Sequence, residues 1–180
     1  GIGCDNANPY LINVIISGNN ANGVDGGGMM LVQSSPNLTN VLIVNNSCTW
    51  YGGGISSVVN SNPFIENTTI SNNSSEQGYG DGIAVGYTGS SSSATLVNCI
   101  VSTTFDQTNL IYIATGGDVT ITYSNVQGGY EGEGNIDANP LFCDPDSGDY
   151  TLAENSPCLG TGQDGALCPL DHAARGAQGL

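Results

Sequence analysis

Positive charge is almost missing from this chain. Of its 180 residues only Arg175 is a Lys or Arg, against 16 Asp or Glu, and the formal net charge is −15. A field of that sign repels nucleic acid, anionic lipid and polyanionic sugars, so no nucleic-acid partner is expected. Charged residues make up only 9% of the sequence, and solubility must come from neutral amides and hydroxyls as well as carboxylates. Histidine occurs once, at His172, and the six cysteines (Cys4, Cys48, Cys99, Cys143, Cys158 and Cys168) form no CxxC pair, which argues against a zinc site. Disulfides or buried thiols in an oxidising compartment fit them better. No apolar run approaches the ~20 residues of a membrane helix, so no membrane span is expected. A signal peptide is also missing: the chain opens on Gly1-Ile2-Gly3-Cys4, which reads as the middle of a repeat, so a processed product or a fragment is expected.

What the sequence does contain is a period. Three segments align without gaps: Pro9-Tyr-Leu-Ile-Asn-Val-Ile-Ile-Ser-Gly-Asn19, Pro36-Asn-Leu-Thr-Asn-Val-Leu-Ile-Val-Asn-Asn46 and Pro63-Phe-Ile-Glu-Asn-Thr-Thr-Ile-Ser-Asn-Asn73. Subtraction (36 − 9 and 63 − 36) gives 27 residues twice. Looser copies follow at Leu96–Val101 and Ile121–Val126. A second stripe, Ile2, Met29, Ile55, Ile83 and Ile111, runs in phase and mostly follows glycines, as in Gly52-Gly53-Gly54-Ile55. Short β-branched runs bounded by Gly, Asn and Pro are strands and turns, and no stretch shows helical periodicity. The alternative, a Greek-key sandwich, leaves both stripes as coincidence.

The pattern therefore predicts an all-β, right-handed parallel β-helix of about five coils, with repeats over residues 1–134 and an irregular capping segment over 135–180. Equivalent residues of coils stacked ~4.8 Å apart form ladders. Leu11, Leu38, Ile65, Leu96 and Ile121 are expected to stack inside, as are Ile16, Ile43, Ile70, Val101 and Val126. Asn13, Asn40, Asn67 and Asn98 are expected to form an asparagine ladder at a turn.

With its SxPxLxNxxIxxNxA-like repeat and following GGGI, the chain resembles the secreted right-handed β-helix proteins of bacterial surfaces, which share the solenoid fold of polysaccharide lyases. The stretch from Asn135 through Pro140-Leu-Phe-Cys143 to Cys158 resembles the terminal segment of such proteins, which precedes a surface-anchoring region in the choice-of-anchor type. The resemblance implies an extracellular or cell-surface location. It implies little about activity, because one fold hosts lyases, hydrolases and adhesins alike.

Candidate chemistry is sparse. Lyases of this fold use a Lys or Arg base with calcium-bound carboxylates; here there is no Lys, and Arg175 lies beyond the repeats. Hydrolases need two carboxylates at a defined separation. Asp25 and Asp81, each in a Gly-rich turn and expected on one face about two coils apart, are the candidates, with Glu66, Glu76, Asp106 and Asp118 scattered through other turns. No adjacent Asp pair and no Gly-His-Gly occurs. Asp137, Asp144, Asp146 and Asp149 form the densest acidic cluster and are the candidate calcium ligands, with Glu131 and Glu133 as contributors. Cys143 and Cys158 flank a hairpin and are expected to form a disulfide worth ~3 kcal/mol. Sequons fall at Asn37, Asn45, Asn67, Asn72 and Asn73, and Asn37, Asn45 and Asn73 are the glycosylation candidates. Thr120-Ile-Thr122 resembles an ice-binding Thr-x-Thr but occurs once.

These observations point to a non-enzymatic extracellular module, structural or adhesive. Its expected partners are other copies stacked end to end into filaments or neutral glycans held by turn aromatics (Trp50, Tyr51, Tyr79, Tyr87, Tyr112, Tyr130). A glycan hydrolase using groove aspartates is the alternative.

Overall fold

The computed structural model describes residues 1–105 and 109–165. These form a parallel β-solenoid of about five turns. Coil one contains β1 (Ile2–Asp5), β2 (Tyr10–Ile12), β3 (Ile15–Ser17) and β4 (Asn20–Ala21). Coil two repeats this with β5 (Met29–Val32), β6 (Asn37–Thr39), β7 (Leu42–Val44) and β8 (Ser47–Cys48). Coil three contributes β9 (Ile55–Val58), β10 (Phe64–Glu66), β11 (Thr69–Ser71) and β12 (Ser74–Ser75). Coil four has β13 (Ile83–Val85), β14 (Ser92–Val97) and β15 (Ile100–Ser102), and coil five has β16 (Ile111–Ile113), β17 (Gly117–Thr122) and β18 (Asn125–Val126). Stacking yields three five-stranded parallel sheets, β1-β5-β9-β13-β16, β2-β6-β10-β14-β17 and β3-β7-β11-β15-β18. No described helix is long and apolar enough to cross a membrane.

The register matches the two expected interior stacks residue for residue: Leu11–Leu38–Ile65–Leu96–Ile121 and Ile16–Ile43–Ile70–Val101–Val126. The glycine-led stripe from Ile2 to Ile111 is the third stack. Together these form one continuous core, the expected result when each coil buries its apolar face only against its neighbours.

The corners explain the abundance of asparagine. Asn13, Asn40, Asn67 and Asn98 all have positive φ, between 48° and 59°, and so do Asn45 and Asn72 at the next corner. Asn tolerates this left-handed conformation better than other residues with a side chain. The expected ladder is present in part, since Asn40 Nδ2 donates to Asn13 Oδ1 at 2.7 Å, but these residues sit at the surface. The buried ladder is a different one. Asn46 Oδ1 accepts from Asn19 N (3.0 Å) and Asn19 Nδ2 (2.8 Å), while Asn46 Nδ2 donates to Asn73 Oδ1 (3.0 Å) and Ile16 O (2.9 Å). Hydroxyls do the same work at another corner, where Ala7 N donates to Ser34 Oγ, Ser34 N to Ser61 Oγ and Ser61 N to Ser92 Oγ.

The glycine runs make room for backbone. A Cβ on Gly27 would collide with the carbonyl oxygens of Gly53 and Ser47. Gly52, at φ +72°, turns so tightly that a Cβ would strike Ile55 O.

Coil five is closed by residues 130–137, with Tyr123 N donating to Glu133 O and Val126 N to Ile136 O. Beyond them the tail does not remain at the end of the solenoid. It runs back along its side as an antiparallel hairpin, β19 (Phe142–Asp144) and β20 (Asp149–Leu152). Tyr150 packs on Leu42 and Val44 of coil two, and Cys158, with Ile136, Phe142 and Leu152, packs on Ile100 of coil four.

Candidate functional site

The outer side of the first sheet carries the main concentration of aromatic surface. Tyr51 and Tyr79 are in register and stack at 4.9 Å with an interplanar angle of 19°. Tyr112, outward on β16 in the row of Ser56 and Ala84, meets both rings at 5.7 and 5.0 Å. Ser56 and Ala84 are buried although they point away from the core, because the three rings stand over this part of the face. Stacked faces are occupied faces, so the tyrosine ladder itself is a structural spine. The aromatic surface left free is beside it: Trp50 is 46% exposed and Tyr87 52% exposed. Trp50 forms one wall of a hollow of about 510 Å³ shared with Val24, Asp25 and Met30.

Among the described residues lining this hollow, Asp25 is the one carboxylate. Its Oδ1 accepts from Tyr51 N at 3.1 Å. Burial pushes its carboxyl above the ordinary range, and the amide bond opposes this. Asp81, the other candidate, is 6% exposed; its Oδ1 accepts from Ser75 N at 2.7 Å, and burial raises its carboxyl too. The two do not share a row. Backbone pairing aligns Asp25 with Tyr51 and Tyr79, whereas Asp81 aligns with Gly53 and Gly27. Two coils and two residues apart, their Cα atoms are about 12 Å from each other by the ~4.8 Å coil spacing and ~3.3 Å residue rise. Each carboxylate is also tied to a backbone amide, so the expected facing pair is not assembled.

The expected calcium cluster is likewise dispersed. Asp137 Oδ1 accepts from Gly128 N on another loop, Asp144 caps the 3-10 turn Pro145–Ser147 that contains Asp146, and Asp149 Oδ1 accepts from Thr151 N and Oγ1. Among the described residues no group of three or more His, Cys, Asp or Glu side chains is placed to hold a metal ion. The Cys143–Cys158 disulfide is not formed either. The hairpin turns Cys143 to solvent, while Cys158 is buried under the tail, its sulfur accepting from Asn125 Nδ2 at 3.2 Å. Of the glycosylation candidates, Asn45 is exposed at its corner and Asn37 half-buried in β6. Asn73 is 2% exposed inside the asparagine ladder and has no room for a glycan. Asp106, Cys168, His172 and Arg175 lie outside the described residues.

Comparison with protein-family models, curated proteins and solved structures gives no match. The functional reading therefore rests on residues and geometry.

Proposed function

We propose that this chain is a non-enzymatic extracellular β-solenoid module that binds neutral glycans through the aromatic hollow on its first sheet. The observation that carries the reading is the pairing of a half-exposed Trp50 with Asp25 beside Val24 and Met30. An indole face accepts the apolar face of a sugar ring, and a carboxylate accepts from its hydroxyls. The net charge of −15 disfavours uronates and sulfated sugars, which leaves neutral glycans. An extracellular, cell-surface setting is supported by the repeat's resemblance to secreted β-helix proteins. A neutral glycan array, followed by titration of tryptophan fluorescence with each hit, tests the proposal. Saturable change that disappears in Trp50→Ala is the expected result; an array without hits, or hits indifferent to Trp50→Ala, would overturn it.

Association of copies is the second reading. It is favoured by Tyr10, Ile12 and Ile15, which lie exposed on coil one at 76%, 59% and 61%. Filaments or clusters in negative-stain microscopy would support it, and uniform particles at high concentration would refute it.

A further inference from the structure

A second cavity lies where the tail crosses the third sheet. It has a volume of about 500 Å³, inside the ~300–1,000 Å³ range of small-molecule sites. One wall belongs to the solenoid. In the row Ser17–Val44–Ser71–Ser102, the side chain is apolar at Val44, where Tyr150 packs, and a hydroxyl at Ser71 and Ser102, where the cavity opens. Ser71 Oγ and Ser102 Oγ lie 3.1 Å apart, both buried, and Thr103, Thr104 and Gln127 continue this polar wall. The facing wall, from the tail, is largely apolar and includes Pro140, Leu141 and Phe142.

That wall is held firmly in place. Asn125 grips Ala138 through two hydrogen bonds, Nδ2 to the carbonyl at 2.8 Å and Oδ1 from the amide at 3.0 Å. Ser156 Oγ donates to Pro140 O at 2.6 Å, and Ala153 N donates to Leu141 O at 2.9 Å. Between these anchors Leu141 is kept at φ +54°, a conformation costly for a leucine, and such strain concentrates at ligand clamps. The tail thus stands off the solenoid here although it packs closely on either side.

The geometry points to a second binding site in this cleft, for a single neutral pyranose unit. A sugar ring has an apolar face and a rim of hydroxyls, and the cleft offers an apolar wall opposite a wall of hydroxyl and amide groups. Among the described residues no charged side chain lines it, so a neutral ligand fits and an ionic one would leave water without compensation. The site is independent of the Trp50 hollow.

Amide NMR shifts on the full chain titrated with methyl glucoside and methyl galactoside test this. Shifts at Ser102, Thr103, Gln127 and Leu141 that vanish in Thr104→Trp, an exposed-rim change that plugs the mouth, are expected. Ser102→Leu, which fills the cleft from inside, should abolish the same shifts. Shifts confined to the Trp50 hollow would overturn the cleft and leave the first proposal standing. Cleft shifts that persist in Thr104→Trp, or no shift with either glycoside, would also overturn it.

Discussion

Replacing Asn46 by alanine should destabilise this protein far more than changing any corner asparagine. The Asn46 amide makes four inter-coil hydrogen bonds. Two of its partners, the side-chain amides of Asn19 and Asn73, can turn towards other groups. The other two are backbone: Asn19 N, which is half-buried, and Ile16 O, which is buried. In the parallel register Ile16 O also faces Val44 N, so the loss is that of four hydrogen bonds at roughly 0.5–1.5 kcal/mol each, partly recovered as the Asn19 and Asn73 side chains find other partners, or about 3 kcal/mol. At 2–4 °C per kcal/mol for a chain of this size, the melting temperature should fall by roughly 6–12 °C. Asn40→Gly is the control. It keeps a residue comfortable at φ +56° and loses the solvent-exposed bond to Asn13, a bond of that kind being worth about 1 kcal/mol or less. Equilibrium urea unfolding with matched slopes measures both. Equal losses for the two variants, or an Asn46→Ala loss under about 1 kcal/mol, would refute the assignment of the buried ladder as a principal inter-coil tie.

Three further outcomes follow from groups already described. Thr69, fully buried beneath the tail between Leu42 and Ile100, has a hydroxyl with no hydrogen-bond partner among the described residues; Thr69→Val should raise stability by about 1 kcal/mol, read as a higher urea midpoint, and a lower midpoint would mean that a buried water serves that hydroxyl. Cys143 should react with a thiol reagent in the native state, while Cys4, Cys48, Cys99 and Cys158 stay protected until unfolding; Cys99 is fully buried and pushed up to about 12. A raised carboxyl confers stability present below its ordinary range and lost as pH rises through the raised value. Acidification from pH 7 towards about 4.5 should therefore raise the melting temperature, and Asp81→Asn should reduce that dependence; an unchanged slope would show that Asp81 is not a source of it.

The solenoid was legible because its side chains repeat. A stack such as Ile16–Ile43–Ile70 needs an apolar residue at one spacing in every coil, and that regularity survives in the letters. The sites were not legible for the converse reason. Asp25 and Asp81 look equivalent as acidic residues in glycine-rich turns, yet a shift of two residues in register puts them in different rows. The asparagines misled in a similar way. Asn13 and Asn19 lie six positions apart in the same repeat, and only the inward turn after the Gly18 corner, absent from any composition, leaves the first exposed and half-buries the second, whose counterparts Asn46 and Asn73 are buried. The reach of the tail was equally hidden: Tyr150 meets Asn45 across 105 residues, and no local pattern reports so distant a contact. Its amphipathic order, with Phe142, Tyr150 and Leu152 on one side, was a signal that could have suggested docking along a flank.

A stack of coils held only by neighbours can peel open one coil at a time, each loss leaving the rest intact. The hairpin changes that order of events here. By fastening coil two to coil four and to the closure of coil five, it makes the inner coils share a single fate, and fraying must wait until the hairpin lifts. Cutting the chain between the fifth coil and β19 should therefore convert one abrupt unfolding transition into a staircase, and a single molecule pulled from its ends would yield first at the latch and only then along its length.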